Sequence, residues 1–482
     1  MTEGSRARSP HWPWIVLLSG VAGWLVGWPG VERLTGWFYR PLGAQPLSPS
    51  PVALPLLALA VGCAVAAWRA LGRRRRAIAL ALLVGGNVMA QGAMLALDRT
   101  AFARRVEEGH GLWLRIARER RGQLLATLRD YESLAGAGAL GAFAPSKPPG
   151  TFAFYAALDA IGSRPLAARV ARGIGAALDL RLPTSGLPDA AHGALLVFPL
   201  LTALTLVPVF LAARRLTGSE PLAFAACILT GSNPGLLLID MHTDGSLFAL
   251  LAATAFASAV TGLGARSAAS ATVWLAIAGA LLGVGLWTTF SLLPMAALLG
   301  LLVALHGARR GARRLAPEWS DRGMRLFVLG ASTLAVVLLL WGVDLSPDPL
   351  QRMRVALDYH ARWKGGLVGG WHGLIALVEY WLWAGLVVLA LLAARIGLAL
   401  RRTSMRSRTL ADHAVIALVA THLATALQSG SVEVARLWLW QTPLLATVVA
   451  TGPLLPPRPS AVLAVGCAQL VTACVMKACQ PW

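Results

Sequence analysis

The sequence predicts an all-α, polytopic integral membrane protein with about thirteen transmembrane helices. Runs of about 20 apolar residues recur from end to end, and each is long enough to cross a bilayer as a helix. Only 13% of the 482 residues are charged while 56% are hydrophobic, with a mean hydropathy of +0.63. A soluble chain carries about twice that charged share. The arginines cluster in short loops between alternate apolar runs, where the positive-inside rule places them in the cytoplasm.

The elements follow in order. Arg6 and Arg8, then Trp12 and Trp14, precede an apolar run to Trp28, which reads as a cytoplasmic end, an aromatic belt and a first helix leading out. A proline-rich loop follows, with Pro29, Pro41, Pro46, Pro49 and Pro51. The second helix covers about 52–68 and ends at Arg73-Arg74-Arg75-Arg76, the strongest topological signal in the chain. The third, about 77–97, must then exit, so Asp98 emerges outside.

Residues 98–191 form a long outer loop. Phe102, Val106, Leu112, Leu114, Ile116, Leu124, Leu125 and Leu128 recur near helical spacing with arginines between them. That pattern predicts an amphipathic juxtamembrane helix lying in the interface. The loop then meets the breaker Lys147-Pro148-Pro149-Gly150 and an apolar, aromatic segment over 151–161.

The fourth helix, about 194–213, returns to Arg214-Arg215. The fifth, 221–239, leads out to Asp240-Met241-His242-Thr243-Asp244. The sixth, 246–263, comes back to Arg266. Residues 272–305 are too long for one span, and Thr288, Thr289, Ser291 and Pro294 mark an outer turn between the seventh and eighth helices. Arg309, Arg310, Arg313, Arg314, Arg322 and Arg325 form the next inner loop. The ninth helix, 326–343, reaches a second polar outer loop over 344–372, and the tenth, 374–394, returns to Arg401, Arg402, Arg406 and Arg408. The eleventh covers 414–427. An outer turn holds Glu433 and Arg436, the twelfth helix runs to Pro456-Pro457-Arg458, and the thirteenth covers 461–476. The chain is thus one transmembrane domain over 1–482: three helices over 1–97, the outer loop over 98–191, and the remaining helices over 192–482. No separate soluble domain and no internal repeat is read.

Topology accounts for much of the net charge of +21, so no nucleic-acid partner is expected. Four of the five cysteines, Cys63, Cys227, Cys467 and Cys474, sit in apolar runs, and no metal-binding spacing involves them or Cys479.

Four polar features share the outer face: Asp98, the Lys147-Pro148-Pro149-Gly150 turn, the Asp240, His242 and Asp244 group, and the basic stretch from Arg352. Glu433 and Arg436 add a fifth. Taken singly, each has a plain reading as a solvated helix end or a loop. Two acids with a histidine are compatible with a divalent cation, Mg or Mn, without being a specific metal signature.

Their order along the chain resembles the GT-C superfamily of membrane glycosyltransferases. The matching segments are Ala96-Leu97-Asp98-Arg99, Leu128-Arg129-Asp130-Tyr131, Ser146-Lys147-Pro148-Pro149-Gly150, Asn233-Pro234, Thr243-Asp244 and Glu433-Val434-Ala435-Arg436-Leu437-Trp438, spread over about 98–453. Two departures stand out. Two helices precede the one bearing Asp98, where one is usual, and Lys147 stands where His is more common. The first leaves Glu107, Glu108 and Glu132 as alternative acids.

The resemblance implies transfer of a sugar from a polyprenyl-phosphate donor to a lipid, glycan or protein acceptor on the extracytoplasmic side of the plasma membrane. Asp98 would be the catalytic acid. Lys147, Arg352, Arg354 and Arg436 would hold the donor phosphate, since a guanidinium donates two parallel hydrogen bonds to such an anion. Asp240, His242 and Asp244 would hold a metal or the acceptor, with Pro148, Pro149 and Glu433 in support. Two other classes are kept: a transporter or flippase for polar or sugar-bearing lipids, and a glycan polymerase or ligase using a lipid diphosphate. A transporter favours ionisable groups at mid-membrane, for which Glu379 and His422 are the candidates.

Overall fold

A computed structural model describes residues 47–107, 111–182, 188–238, 244–311, 318–344, 349–363, 371–402, 407–428, 438–452, 454–455 and 458–479. Among these residues all regular structure is helical. Eight helices are long and apolar enough to cross a membrane, or nine with one bent pair taken as a span. The chain is a helical membrane-spanning protein. The first expected helix lies outside the described residues.

Helices α1 (Ala53–Gly72) and α2 (Arg76–Leu97) form a hairpin. Arg74 closes it in the left-handed region, at φ 59°. Small residues let the two approach: a Cβ on Gly86 would meet Cys63 at 2.8 Å.

The outer loop departs from expectation. In place of one long amphipathic helix, four short ones follow: α3 (Ala101–Glu107), α4 (Gly111–Glu119), α5 (Leu124–Arg129) and α6 (Tyr131–Gly136). Two more complete the loop, α7 (Pro149–Gly162) and α8 (Pro165–Ala177). Together they build a core of their own. Phe102, Val106, Leu114, Ile116 and Leu128 are buried in it with Trp113, Tyr131, Phe152 and Tyr155. Leu124 and Leu125 remain exposed, at 39% and 58%. The apolar stripe thus satisfies itself largely against neighbouring helices, because hinges such as Gly122, at φ 79°, let the chain fold back.

Helix α7 sits tightly on α9 (Pro188–Leu204). A Cβ on Gly162 would fall 1.7 Å from the Asp189 carbonyl oxygen, and one on Gly193 would fall 1.9 Å from that of Leu158. Helix α10 (Leu206–Thr217) continues α9, the two forming one apolar stretch over Asp189–Thr217.

The fifth expected span is broken. Helix α11 (Glu220–Gly231) has only 12 residues, and Asn233-Pro234 stops it before the short α12 (Pro234–Leu237). Proline lacks the N–H that would continue the ladder. Then come α13 (Gly245–Leu263) and α14 (Ala268–Thr288). A turn at Phe290–Leu292 leads to α15 (Leu293–Gly311), where the sequence places an outer turn. Next are α16 (Glu318–Asp344) and α17 (Pro349–Trp363). The tenth expected span is a second correction. Helix α18 (Trp371–Ala384) and α19 (Leu386–Arg401) meet at 108°, hinged at Gly385 with φ 92°, a conformation that glycine alone adopts without strain. Helix α20 (Leu410–Gln428), a short α21 (Thr442–Val449) after a turn at Leu439–Gln441, and α22 (Pro459–Ala478) complete the chain.

Ion pairs lie at opposite ends of α2. At the Arg76 end, Arg76 and Arg214 face Glu220, while in a separate cluster Arg395 and Arg402 hold Asp412 at 2.7 and 2.6 Å. At the Asp98 end lie all the pairs made by the outer loop. Arg76 and Arg214 thus lie at the opposite end of α2 from the long loop.

The two breaks meet. Asn233 donates to the Ala384 carbonyl at 2.7 Å, beside the Gly385 hinge. Ser232 donates to Gln469 at 2.6 Å, Asn87 to the Gly231 carbonyl at 2.7 Å, and Gln91 to both Asn87 and the Pro199 carbonyl. Lone amides in apolar helices thus take up the backbone groups that the breaks set free.

The Gly162 crossing gives a stability prediction. Gly162→Ala forces α7 off α9, and overpacking of this kind costs about 1–3 kcal/mol. The detergent-solubilised variant should melt several degrees below the parent, whereas Gly173→Ala, where a Cβ meets open space, should not.

Candidate functional site

Asp98 ends α2 and starts α3. Its Oδ1 accepts from the Thr100 amide at 3.1 Å and the Thr100 hydroxyl at 2.8 Å, a local cap. Its Oδ2 accepts from Arg104 at 2.8 Å. The residue is 8% exposed. Both oxygens are thus engaged by the chain itself.

The Lys147-Pro148-Pro149-Gly150 segment is a helix start rather than a plain turn. Pro148 takes the capping position and Pro149 the first turn of α7, where a missing N–H costs nothing. This start is fixed on the outer end of α14. Thr151 donates to the Thr288 carbonyl at 2.6 Å, and a Cβ on Gly150 would lie 2.5 Å from Trp287. Glycine is required there by close approach. Lys147 is half-buried just ahead of it.

Arg352 is fully buried and reaches this segment from α17. Its guanidinium donates to Glu132 at 2.8 Å and to the Pro145 carbonyl, and stacks 5.8 Å from the Tyr131 ring centre. Tyr131 in turn donates to the Lys147 carbonyl at 3.2 Å. Burial pushes its phenol well above the ordinary value, so it stays a donor. Enclosed and paired with Glu132, Arg352 latches the segment over 349–363 to the long loop over 98–191. Glu132, kept as an alternative acid, is half of that latch. Arg354, two residues on, is exposed.

A second latch went unread in the sequence. Arg121 donates through Nε and Nη2 to buried Asp159 at 2.7 and 2.8 Å, and through Nη2 to Asp189 at 2.8 Å. The hydrogen bond to Asp159 is the largest cause raising the Arg121 guanidinium above its ordinary value. It ties the loop to α7 and α9. Arg99 pairs with Asp179 at 2.6 Å.

Asp244 caps α13 by position, yet its side chain makes no capping hydrogen bond. It is 3% exposed, and Oδ2 has no partner. Helix α13 packs against the Leu439–Gln441 turn, with Leu439 on Ala249. Gln441 Oε1, which only accepts, takes a hydrogen bond from His422 Nδ1 at 2.7 Å. Gln441 Nε2 and His422 Nε2 are buried without partners. Tyr380, Trp381 and Trp438 surround His422, with ring centres 5.0–5.3 Å away. Glu379, beside Tyr380 in the chain, is fully buried.

Asp240, His242, Glu433 and Arg436 lie outside the described residues, as does Glu108. The described residues hold no cluster of three groups able to ligate a metal. Of Asp240, His242 and Asp244, only Asp244 is among the described residues.

A comparison with models of known protein families gives no match, and a comparison with curated proteins gives none either.

The latch makes a test. Arg352→Ala removes the guanidinium that both Glu132 and the Pro145 carbonyl accept from, a loss of about 2–3 kcal/mol for one partner of a mostly buried pair. Arg352→Lys should recover less than half, since an ammonium lacks the fork that reaches both groups. Equal melting temperatures for the parent and the alanine variant would show that the latch carries nothing.

Proposed function

We propose that this chain is a GT-C-like glycosyltransferase, of about thirteen transmembrane helices, working at the extracytoplasmic face of the plasma membrane. It moves a sugar from a polyprenyl-phosphate donor to a lipid, glycan or protein acceptor. The observation that carries this reading is the convergence at one end of the molecule of segments far apart in sequence. The Pro148-Pro149 helix start, the outer end of α14, Arg352 of the second outer loop and Asp98 all belong to that end. Such motifs scattered through an ordinary set of membrane helices have no reason to meet.

The chemistry fits the place. Outside the cytoplasm a nucleotide sugar is not at hand, so a lipid phosphate carries the sugar. Exposed hydrophobic side chains of the outer loop, among them Leu125 and Leu166 at 58% and 71%, suit contact with lipid. Lys147, exposed Arg354 and Arg436 are the cations left for the donor phosphate once Arg352 is assigned to the latch. Fixed cations stabilise the phosphate as it departs.

A second reading has one observation in its favour. Two interrupted helices meeting inside the bundle, at Asn233 and Ala384, with buried Glu379 nearby in sequence, are also a transporter's means of building a path. It places no demand on the Pro148-Pro149 segment.

Purified chain supplied with labelled polyprenyl-phosphate sugars should release polyprenyl phosphate in an acceptor-dependent manner. Movement of a labelled lipid between leaflets without any such release would instead establish the transporter. Cysteines placed at 147 and 75 should react from opposite sides of the membrane; labelling from the same side would sink the transferase.

A further inference from the structure

The buried carboxylates at the loop end are not alike. Asp98 holds Arg104 and caps α3, and Asp159 holds Arg121 through both oxygens. Asp244, equally buried, pairs with no arginine among the described residues and leaves Oδ2 without a partner there. An isolated carboxylate out of water is costly, and the cost is usually removed by a cation or by hydrogen bonds. In a chain with 43 basic residues, a cation for it would be easily supplied. An orphaned group of this kind marks a place where something else is bound.

The surroundings point to what that is. The turn packed on α13 carries Gln441, whose Nε2 is an unused donor, and holds His422 through Nδ1, leaving His422 Nε2 without a partner. Three polar atoms, all buried and all unsatisfied among the described residues, lie on elements that touch. A hydroxyl-bearing ligand complements them, since each hydroxyl both donates and accepts.

We infer that Asp244, and not Asp98, is the carboxylate that receives the acceptor hydroxyl, with Asp98 a positioning residue at the start of the outer loop. The inference rests on the transferase reading. The acceptor oxygen forms a bond to the sugar's anomeric carbon as the bond from that carbon to the donor phosphate oxygen breaks. The acceptor proton passes to Asp244, and the electron pair leaves with polyprenyl phosphate. Asp244 later returns the proton to water. No other reactant is needed.

The test uses the full chain in lipid nanodiscs, with Asp244→Asn and Asp98→Asn compared. Asp244→Asn should lower turnover by about 100-fold or more, the scale of a lost general base, with donor binding and melting temperature kept. Asp98→Asn should lower the melting temperature and reduce turnover by less than about tenfold. Reaction with dicyclohexylcarbodiimide, read by peptide mass spectrometry, gives a readout apart from activity. Asp244 should be modified, and acceptor should protect it, while Asp98 and Asp159 stay unmodified behind their arginines. Turnover within threefold of the parent for Asp244→Asn, or modification of Asp98 with Asp244 untouched, overturns the assignment while leaving the transferase standing. Absence of transfer by the parent chain overturns both.

Discussion

Inside a bilayer no water is available to satisfy a freed backbone group, and this constraint shapes the helical core. Two helices are broken within their apolar stretches, at Asn233-Pro234 and at Gly385. Each break releases carbonyls that α-helical bonding would otherwise occupy. The answer is a set of amide and hydroxyl side chains, Asn87 and Gln91 from α2, Ser232 and Asn233 from the α11–α12 break and Gln469 from α22, aimed at backbone carbonyls or at one another. The polar residues fix where α2, α11, α18 and α22 sit relative to one another, because an unmade hydrogen bond there costs more than one in water.

At the loop end the governing constraint is charge. The long loop over 98–191 is rich in arginine, and its folded form uses three of them internally. Arg99, Arg104 and Arg121 each close a link within the loop or to the helices beneath it. Arg352 brings in the second outer loop. Each link joins surfaces that the hydrophobic core of the loop alone would hold less specifically, since apolar contact has no direction and a forked guanidinium does. The Pro148-Pro149 helix start inherits its position from both: Trp287 and Thr288 beneath, Arg352 and Tyr131 beside it.

A catalytic reading based on motif order alone selects Asp98 because it comes first and ends a helix. Both oxygens of Asp98 are engaged by Thr100 and Arg104, whereas Asp244 is buried with Oδ2 unpartnered among the described residues, and that contrast is the ground for proposing Asp244 instead. The same contrast separates Arg352, buried in the latch, from Arg354, only two residues away but on the exposed side of α17.

The sequence by itself determined that this is a helical membrane protein, where its long helices run, that 272–305 divides in two, and which loops collect arginine. These are local properties: hydropathy, length and charge over about twenty residues are enough to read them. The sequence also showed amphipathic spacing in the outer loop, but not that its stripe would be buried against itself, since spacing does not name the partner surface. Only the tertiary structure decided that Arg352 belongs to Glu132, 220 residues away, that Asn233 closes on Ala384, and that Asp244 is buried with Oδ2 unpartnered among the described residues. Such pairings depend on which distant side chains folding brings within about 3 Å, and no pattern along the chain encodes that distance.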